Sequence, residues 1–251
     1  MPAHTTSARL TRTAVAAAAT AAALLLTGCS LVEARTKTAT ADATVTEAVT
    51  AVEVTDARRG SIEVTPGSGP GVTVHRTVHY RGDTAPAPGQ RVSGGLLTFT
   101  DGCADDCWVD YRLEVPASAK VRLGNSSGGI TVEGVAAAEV TSDSGDVRAQ
   151  RIAGPLKIRT SSGDITATAL NAPETEIRSA SGNATLAFAA PPASLSVTTT
   201  SGEVEARLPR APYEVTASTT SGDRDITLPS TPAAPSRLSF HTTSGDLHVS
   251  D

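Results

Sequence analysis

Three thiols, five imidazoles, 26 carboxylates and many serine hydroxyls are the reactive groups this sequence offers, and their spacing decides what chemistry they can support. Cys103 and Cys107 stand in DGCADDCW. In an oxidising compartment that spacing can close a small disulfide loop beside Trp108, with a chain-entropy gain of about 2 kcal/mol. A metal site would recruit Asp105 and Asp106 as further ligands, but no second Cys or His pair stands at zinc spacing, and redox catalysis usually uses a two-residue spacer. His75 and His79, four apart on a strand face, would lie about 13 Å from each other and cannot chelate one ion together. They read as solvent-facing polar residues, and His241 and His248 have no acidic partner specified. Arg81, Gly82 and Asp83 form an RGD tripeptide that reads as coincidence in a chain rich in Gly and Asp. No serine sits in a Gly-x-Ser-x-Gly elbow with a His and Asp partnership. A glycan-cleaving site would need clustered acids and aromatic platforms, whereas the aromatics number three Phe, three Tyr and one Trp. The expectation is a chain with no catalytic residues, no cofactor and no metal.

The third thiol, Cys29, has a different setting. A polar, basic stretch holding His4, Arg9 and Arg12 precedes a small and apolar run from Ala14 to Leu26, broken only by Thr20. Thirteen residues are too few for a helix across a bilayer core, which takes about 20, so the run reads as the apolar region of an export signal. It ends in Leu26, Thr27, Gly28, Cys29. That order resembles the lipobox of bacterial lipoproteins, in which the cysteine thiol takes a diacylglyceryl group and cleavage falls just before it. The resemblance implies residues 1–28 as a lipoprotein signal peptide and Cys29 as the lipidation site, with the mature chain on the outer side of the cell membrane. Residues 29–44, rich in Thr, Ala and charge without apolar periodicity, read as a flexible lipidated tether.

Elements that could position anything must come from residues 45–251. With 39% apolar, 3% aromatic and 19% charged residues, this composition of Thr, Val, Ser, Ala, Gly and Asp favours strands and turns over helices. The net charge of −5 gives no basic surface for nucleic acid.

Ser-Gly pairs recur with their glycines at Gly128, Gly145, Gly163, Gly182, Gly202, Gly222 and Gly245, spaced by 17, 18, 19, 20, 20 and 23 residues. Fixed offsets carry the register. Five residues before each Gly stand Leu123, Val140, Ile158, Ile177, Val197, Ala217 and Phe240, and two after stand Ile130, Val147, Ile165, Ala184, Val204, Arg224 and Leu247. Positions seven before and four after are also mostly apolar, with polar residues between, so each repeat contains two half-buried strands. The offset between the two sets is odd, so the chain must bend at the Ser-Gly-Asp corner, where Gly tolerates positive φ and the Asp can form an Asx-type turn.

Coils of this length with a recurring corner predict a parallel β-solenoid, right-handed by the crossover rule, with Ile158 inward and Arg159 outward. A meander of hairpins is the competing arrangement, but it would not require the same inward column at both offsets. Arg224 reads as a one-residue bulge, since Ile226 and Leu228 restore alternation one step late. Upstream, Gly60 with Ile62 and Val64, and Gly94 with Leu96, read as degenerate capping coils. The strands Val72 to Tyr80, Leu96 to Thr100 and Trp108 to Val115 bring Tyr80, Phe99, Trp108 and Tyr111 to that cap. The Ser-Gly-Asp column lacks the nonapeptide with which other β-helices bind calcium.

RTSSGDITA (Arg159 to Ala167), HTTSGDLHV (His241 to Val249) and YRLEVPASAKVRLGNSSGGI (Tyr111 to Ile130) resemble the bacterial putative-adhesin domain of unknown function. The likeness covers Val45 to Asp251. It implies an extracytoplasmic β-solenoid, often membrane-attached, and supplies no catalytic motif to transfer. Together these readings predict a lipid-anchored, non-catalytic adhesion or envelope-interaction module whose partner is an envelope glycan, a surface or a membrane protein. The alternatives are an envelope-stress sensor working with a membrane signalling partner and, less favoured, an enzyme acting on wall glycans.

Overall fold

Alternating apolar residues on short Thr- and Val-rich segments dictate strands with one dry face, and two such faces must close on each other to form a core. The computed structural model describes residues 36–55, 57–103 and 106–251. Every regular element among them is a strand.

The N-terminal third contains β1 (Lys37–Thr40), β2 (Ala43–Val45), β3 (Ala51–Val54), β4 (Ile62–Gly67), β5 (Val72–Tyr80), β6 (Gly89–Ser93), β7 (Leu96–Thr100) and β8 (Trp108–Pro116). Seven repeats then follow as strand pairs across the Ser-Gly corners. These are β9 (Lys120–Asn125) with β10 (Ile130–Glu133), β11 (Ala137–Ser142) with β12 (Val147–Gln150), and β13 (Leu156–Ser162) with β14 (Ile165–Leu170). Next come β15 (Glu174–Ser181) with β16 (Ala184–Phe188), β17 (Ser194–Ser201) with β18 (Val204–Arg207), β19 (Tyr213–Ser221) with β20 (Arg224–Ile226), and β21 (Ser236–Ser244) with β22 (Leu247–Ser250).

The first strand of each repeat lies in a 10-stranded sheet and the second in a 12-stranded sheet, so each repeat is one coil of a two-walled β-solenoid. Pairing between successive coils is parallel and in register. Leu123 stands against Val140, Val140 against Ile158, Ile158 against Ile177 and Ile177 against Val197. On the other wall Ile130, Val147, Ile165, Ala184 and Val204 form the matching column. Ile158 is fully buried and Arg159 half-exposed, as the alternation requires.

The corners bring successive backbones too close for a side chain. A Cβ on Gly145 would lie 1.8 Å from the Gly128 carbonyl oxygen. Gly163 has φ of +133°, and a Cβ there would lie 2.5 Å from the Gly145 oxygen. The corner Asp and Asn side chains reach across coils rather than forming the local turns expected. The Asp164 N–H donates to Asp146 Oδ1 at 3.1 Å, and the Asn183 N–H to Asp164 Oδ1 at 2.8 Å. The Glu203 N–H donates to Asn183 Oδ1 at 2.9 Å. Downstream N–H groups are committed to the sheet ladder, so the free acceptor serves the next rung.

The chain departs from simple sequential stacking at both ends. Coil β21/β22 lies between β17/β18 and β19/β20, so Val197 stands against Phe240 and Phe240 against Ala217. Coil β3/β4 likewise lies between β7/β8 and β9/β10. Gly60 does turn a coil, since Ile62 stands against Ile130 and Val64 against Val132. Gly94 does not: it turns the antiparallel β6/β7 hairpin, and Leu96 falls in the 10-stranded sheet.

Two further expectations are corrected. Arg224 forms no bulge but pairs in register with Leu247, as Ile226 does with Val249. It occupies an inward column position on the outermost coil, where no further coil covers it, and its guanidinium donates to the Ala217 carbonyl at 2.9 Å. The segment expected as tether contributes β1 and β2, both antiparallel to β5, so order begins before Val45. An open strand edge recruits backbone partners without asking for apolar periodicity.

Candidate functional site

Side chains facing outward from the 10-stranded sheet repeat at strand spacing, about 4.8 Å. Glu53, Arg122, Glu139, Lys157 and Glu176 stand opposite one another in that order across β3, β9, β11, β13 and β15. Their signs alternate, and opposite charges on neighbouring strands support each other modestly. Beside them the column through Ala51, Lys120, Ala137, Pro155, Glu174 and Ser194 is mostly small, leaving a trench of about 750 Å³ along the stacking direction.

At its far end Glu176 gathers three cations. Arg178 Nε lies 2.7 Å from Oε1, Arg159 Nη2 3.1 Å from the same oxygen, and Lys157 Nζ 3.7 Å from Oε2. These groups are partly solvated, so each pair contributes no more than about 1 kcal/mol. One carboxylate is thus shared by three cations, with Glu139 and Glu174 also lining the trench.

A second cluster occupies the outer face of the 12-stranded sheet near the N-terminal end. The register sets His79 on β5 opposite Trp108 on β8. Their rings stack at 4.8 Å with 6° between planes, and the Arg59 guanidinium lies 4.7 Å from the Trp108 ring centre. His79 Nε2 is 2.7 Å from Asp110 Oδ2, and Asp110 Oδ1 accepts from the Ser61 N–H at 2.7 Å and the Ser61 hydroxyl at 2.9 Å. The carboxylate stands between serine and imidazole. A serine nucleophile needs the imidazole as its own base, so this order braces β4, β5 and β8 and does not activate Ser61. Sequence reasoning missed the cluster because only the pairing of β5 with β8 creates it.

The other histidines among the described residues have partners as well. His75 Nδ1 lies 3.3 Å from Asp42 Oδ1, His248 Nδ1 3.0 Å from Asp225 Oδ2, and His241 Nδ1 2.7 Å from the Ser218 hydroxyl. The RGD residues pair locally, Arg81 with Asp106 at 3.9 Å and Asp83 with Lys37 at 3.3 Å. Cys103 and Cys107 are joined as a disulfide with Cα atoms 5.5 Å apart. Their loop connects β7 to β8, where the repeats place a Ser-Gly corner. Among the described residues no group of three or more His, Cys, Asp or Glu is placed to hold a metal ion. Leu26, Thr27, Gly28 and Cys29 lie outside the described residues.

Two buried features also escaped the sequence reading. Arg76, 5% exposed, donates from Nε to the Ala41 carbonyl at 2.9 Å and from Nη1 to that of Pro88 at 3.3 Å. Burial lowers its guanidinium pKa from the ordinary value. It staples the N-terminal segment and the proline loop to β5. Beneath the corners runs a buried polar column of Asn125, Ser142, Thr160, Ser179, Thr199 and Thr242. The Thr160, Ser179 and Thr199 hydroxyls donate to the carbonyls of Ser162, Ser181 and Ser201 at 3.1, 3.1 and 3.3 Å. The signal was present in the sequence, since three residues before every corner glycine stands Asn, Ser or Thr.

Residues 91–251 match the model of the Toastrack DUF4097 family, and the chain belongs to that family. A solved structure from Bacteroides fragilis NCTC 9343, described as a putative adhesin, is 12% identical with a TM-score of 0.50, over 86% of this chain and 97% of that one. One from Parabacteroides distasonis ATCC 8503, also described as a putative adhesin, is 12% identical with a TM-score of 0.48, over 86% and 98%. A putative cell adhesion protein from Clostridium sporogenes ATCC 15579 is 8% identical with a TM-score of 0.35, over 86% and 99%. No curated protein matches the chain.

Proposed function

We propose that the chain is a non-catalytic adhesion or envelope-interaction module, anchored through lipid on Cys29 and displayed on the outer face of the cell membrane. The observation that carries this reading is the division of labour within each coil. The recurring residues serve packing and corners, while the outward residues of the 10-stranded sheet form the continuous charged trench. Its alternating signs suit a long polar polymer, such as an envelope glycan, lying across successive strands, because many weak contacts at a fixed repeat add through multivalency. The adhesin descriptions of the structural neighbours agree with this reading, and the sequence around Cys29 supports the anchor.

The test is retention of the purified chain on isolated cell-envelope material, with soluble products measured in parallel. The expected outcome is retention without release of glycan or peptide fragments. Turnover of a wall glycan, abolished by one Asp or Glu substitution, would overturn the reading. Absence of retention together with altered stress-gene output on deletion would replace it with the sensor.

A further inference from the structure

We propose that the C-terminal coil, residues 236–250, is exchangeable between two copies of this chain, so that two domains join by each donating that coil to the other. The coil enters a slot formed by other parts of the chain, with β17 and β19 pairing on either side of β21, and β18 and β20 on either side of β22. Leu238, Phe240, Leu247 and Val249 are buried in it. Its contacts are made to β17 through β20 and depend on the slot, not on which chain supplies the coil.

A single linker, residues 227–235, connects it to the rest. Three prolines, Pro229, Pro232 and Pro235, bias that linker toward extended backbone, so opening it costs little conformational freedom. The closed form is held locally: the Val215 N–H donates to the Ser230 hydroxyl oxygen at 3.1 Å, and the Thr231 N–H to the Tyr213 carbonyl at 2.7 Å. Leu228 and Ala234 tuck in beside them. Exchange gives up these linker contacts and keeps the strand pairing of the coil with β17 through β20, the condition under which swapping an identical element joins two chains at low cost.

The outer wall of the slot is also the most loosely packed coil. Val215, Ala217 and Ile226 are half-buried, while their counterparts in the preceding coil, Leu195, Val197 and Ala206, are buried. Opening the slot is therefore a local event at the end of the rod, where few buried apolar contacts resist it.

Ser196 and Ser239 stand directly opposite each other on β17 and β21 and face outward. The experiment mixes two full-length chains in equal amounts, one with Ser196→Cys and one with Ser239→Cys. Both also carry Cys29→Ala, so that only the introduced thiols are free. They are unfolded and refolded together without reductant, then oxidised. The expected result is a species of about two-fold molar mass in which the cross-link joins the two different variants, well in excess of either self-pair. Self-pairs and mixed pairs in chance proportion, or monomer alone, would overturn the proposal. Ser230→Ala, which releases the linker without touching the coil, should raise the dimer fraction, and an unchanged fraction would equally count against it.

Discussion

The five central coils, from β9/β10 to β17/β18, stack in the order in which the chain makes them, whereas the coils at both ends do not. In the centre each inward residue has a neighbour above and below, and the columns from Leu123 to Val197 and from Ile130 to Val204 are uniformly apolar. At the C-terminal end the column runs on through Leu247 to Arg224, and the charge is accepted because nothing stacks beyond it. At the N-terminal end the outermost coil is closed by antiparallel strands and a disulfide loop. The same column position thus has opposite demands depending on whether it has one neighbour or two.

The largest expected effects break the centre. Ile158→Asp places an unpaired charge in a fully buried position and should cost more than about 4 kcal/mol, unfolding several coils. Arg159→Asp on the adjacent outward position should cost about 1 kcal/mol or less. Thermal melts check this pair, and matching melts would refute the register. Within one column, Leu247→Arg should destabilise strongly while Arg224→Leu should change stability by only about 0.5 kcal/mol. Denaturant titration of both sharpens the contrast between covered and uncovered coils.

That contrast also explains what the sequence could reveal. Central register was legible because identical offsets recur, and packing at a fixed rise leaves each column one choice. The inversion at the ends was not legible, because Gly222 and Gly245 carry the same corner signal whichever coil is outermost. Arg224 is the available clue: by sequence pattern alone it resembles a local irregularity, whereas in the fold it marks a missing neighbour. The trench was half visible: Arg122, Glu139, Lys157 and Glu176 hold one offset before their glycines, but Glu53 joins them only through the pairing of β3 with β9. The His79, Trp108 and Asp110 cluster depends on antiparallel register between strands about 30 residues apart, which no local pattern specifies.

Smaller effects belong to the corners. Gly163→Ala forces a Cβ into a positive-φ position against a backbone oxygen and should cost about 1–3 kcal/mol. Gly69→Ala, with open space around it, should be nearly silent. Asp164→Ala removes one inter-coil hydrogen bond and should cost about 1 kcal/mol, measurable as a shift in denaturation midpoint.

The two walls of the rod differ in the same instructive way, since the trench lies on one of them. The most direct measurement compares retention on isolated envelope material for two charge-altered variants of matched stability. Arg122→Glu with Lys157→Glu inverts two rungs of the trench, and Arg148→Glu with Thr185→Glu alters outward positions on the opposite wall. The first variant should lose retention and the second should keep it. Equal loss in both, or loss only in the second, would contradict a binding role for the trench.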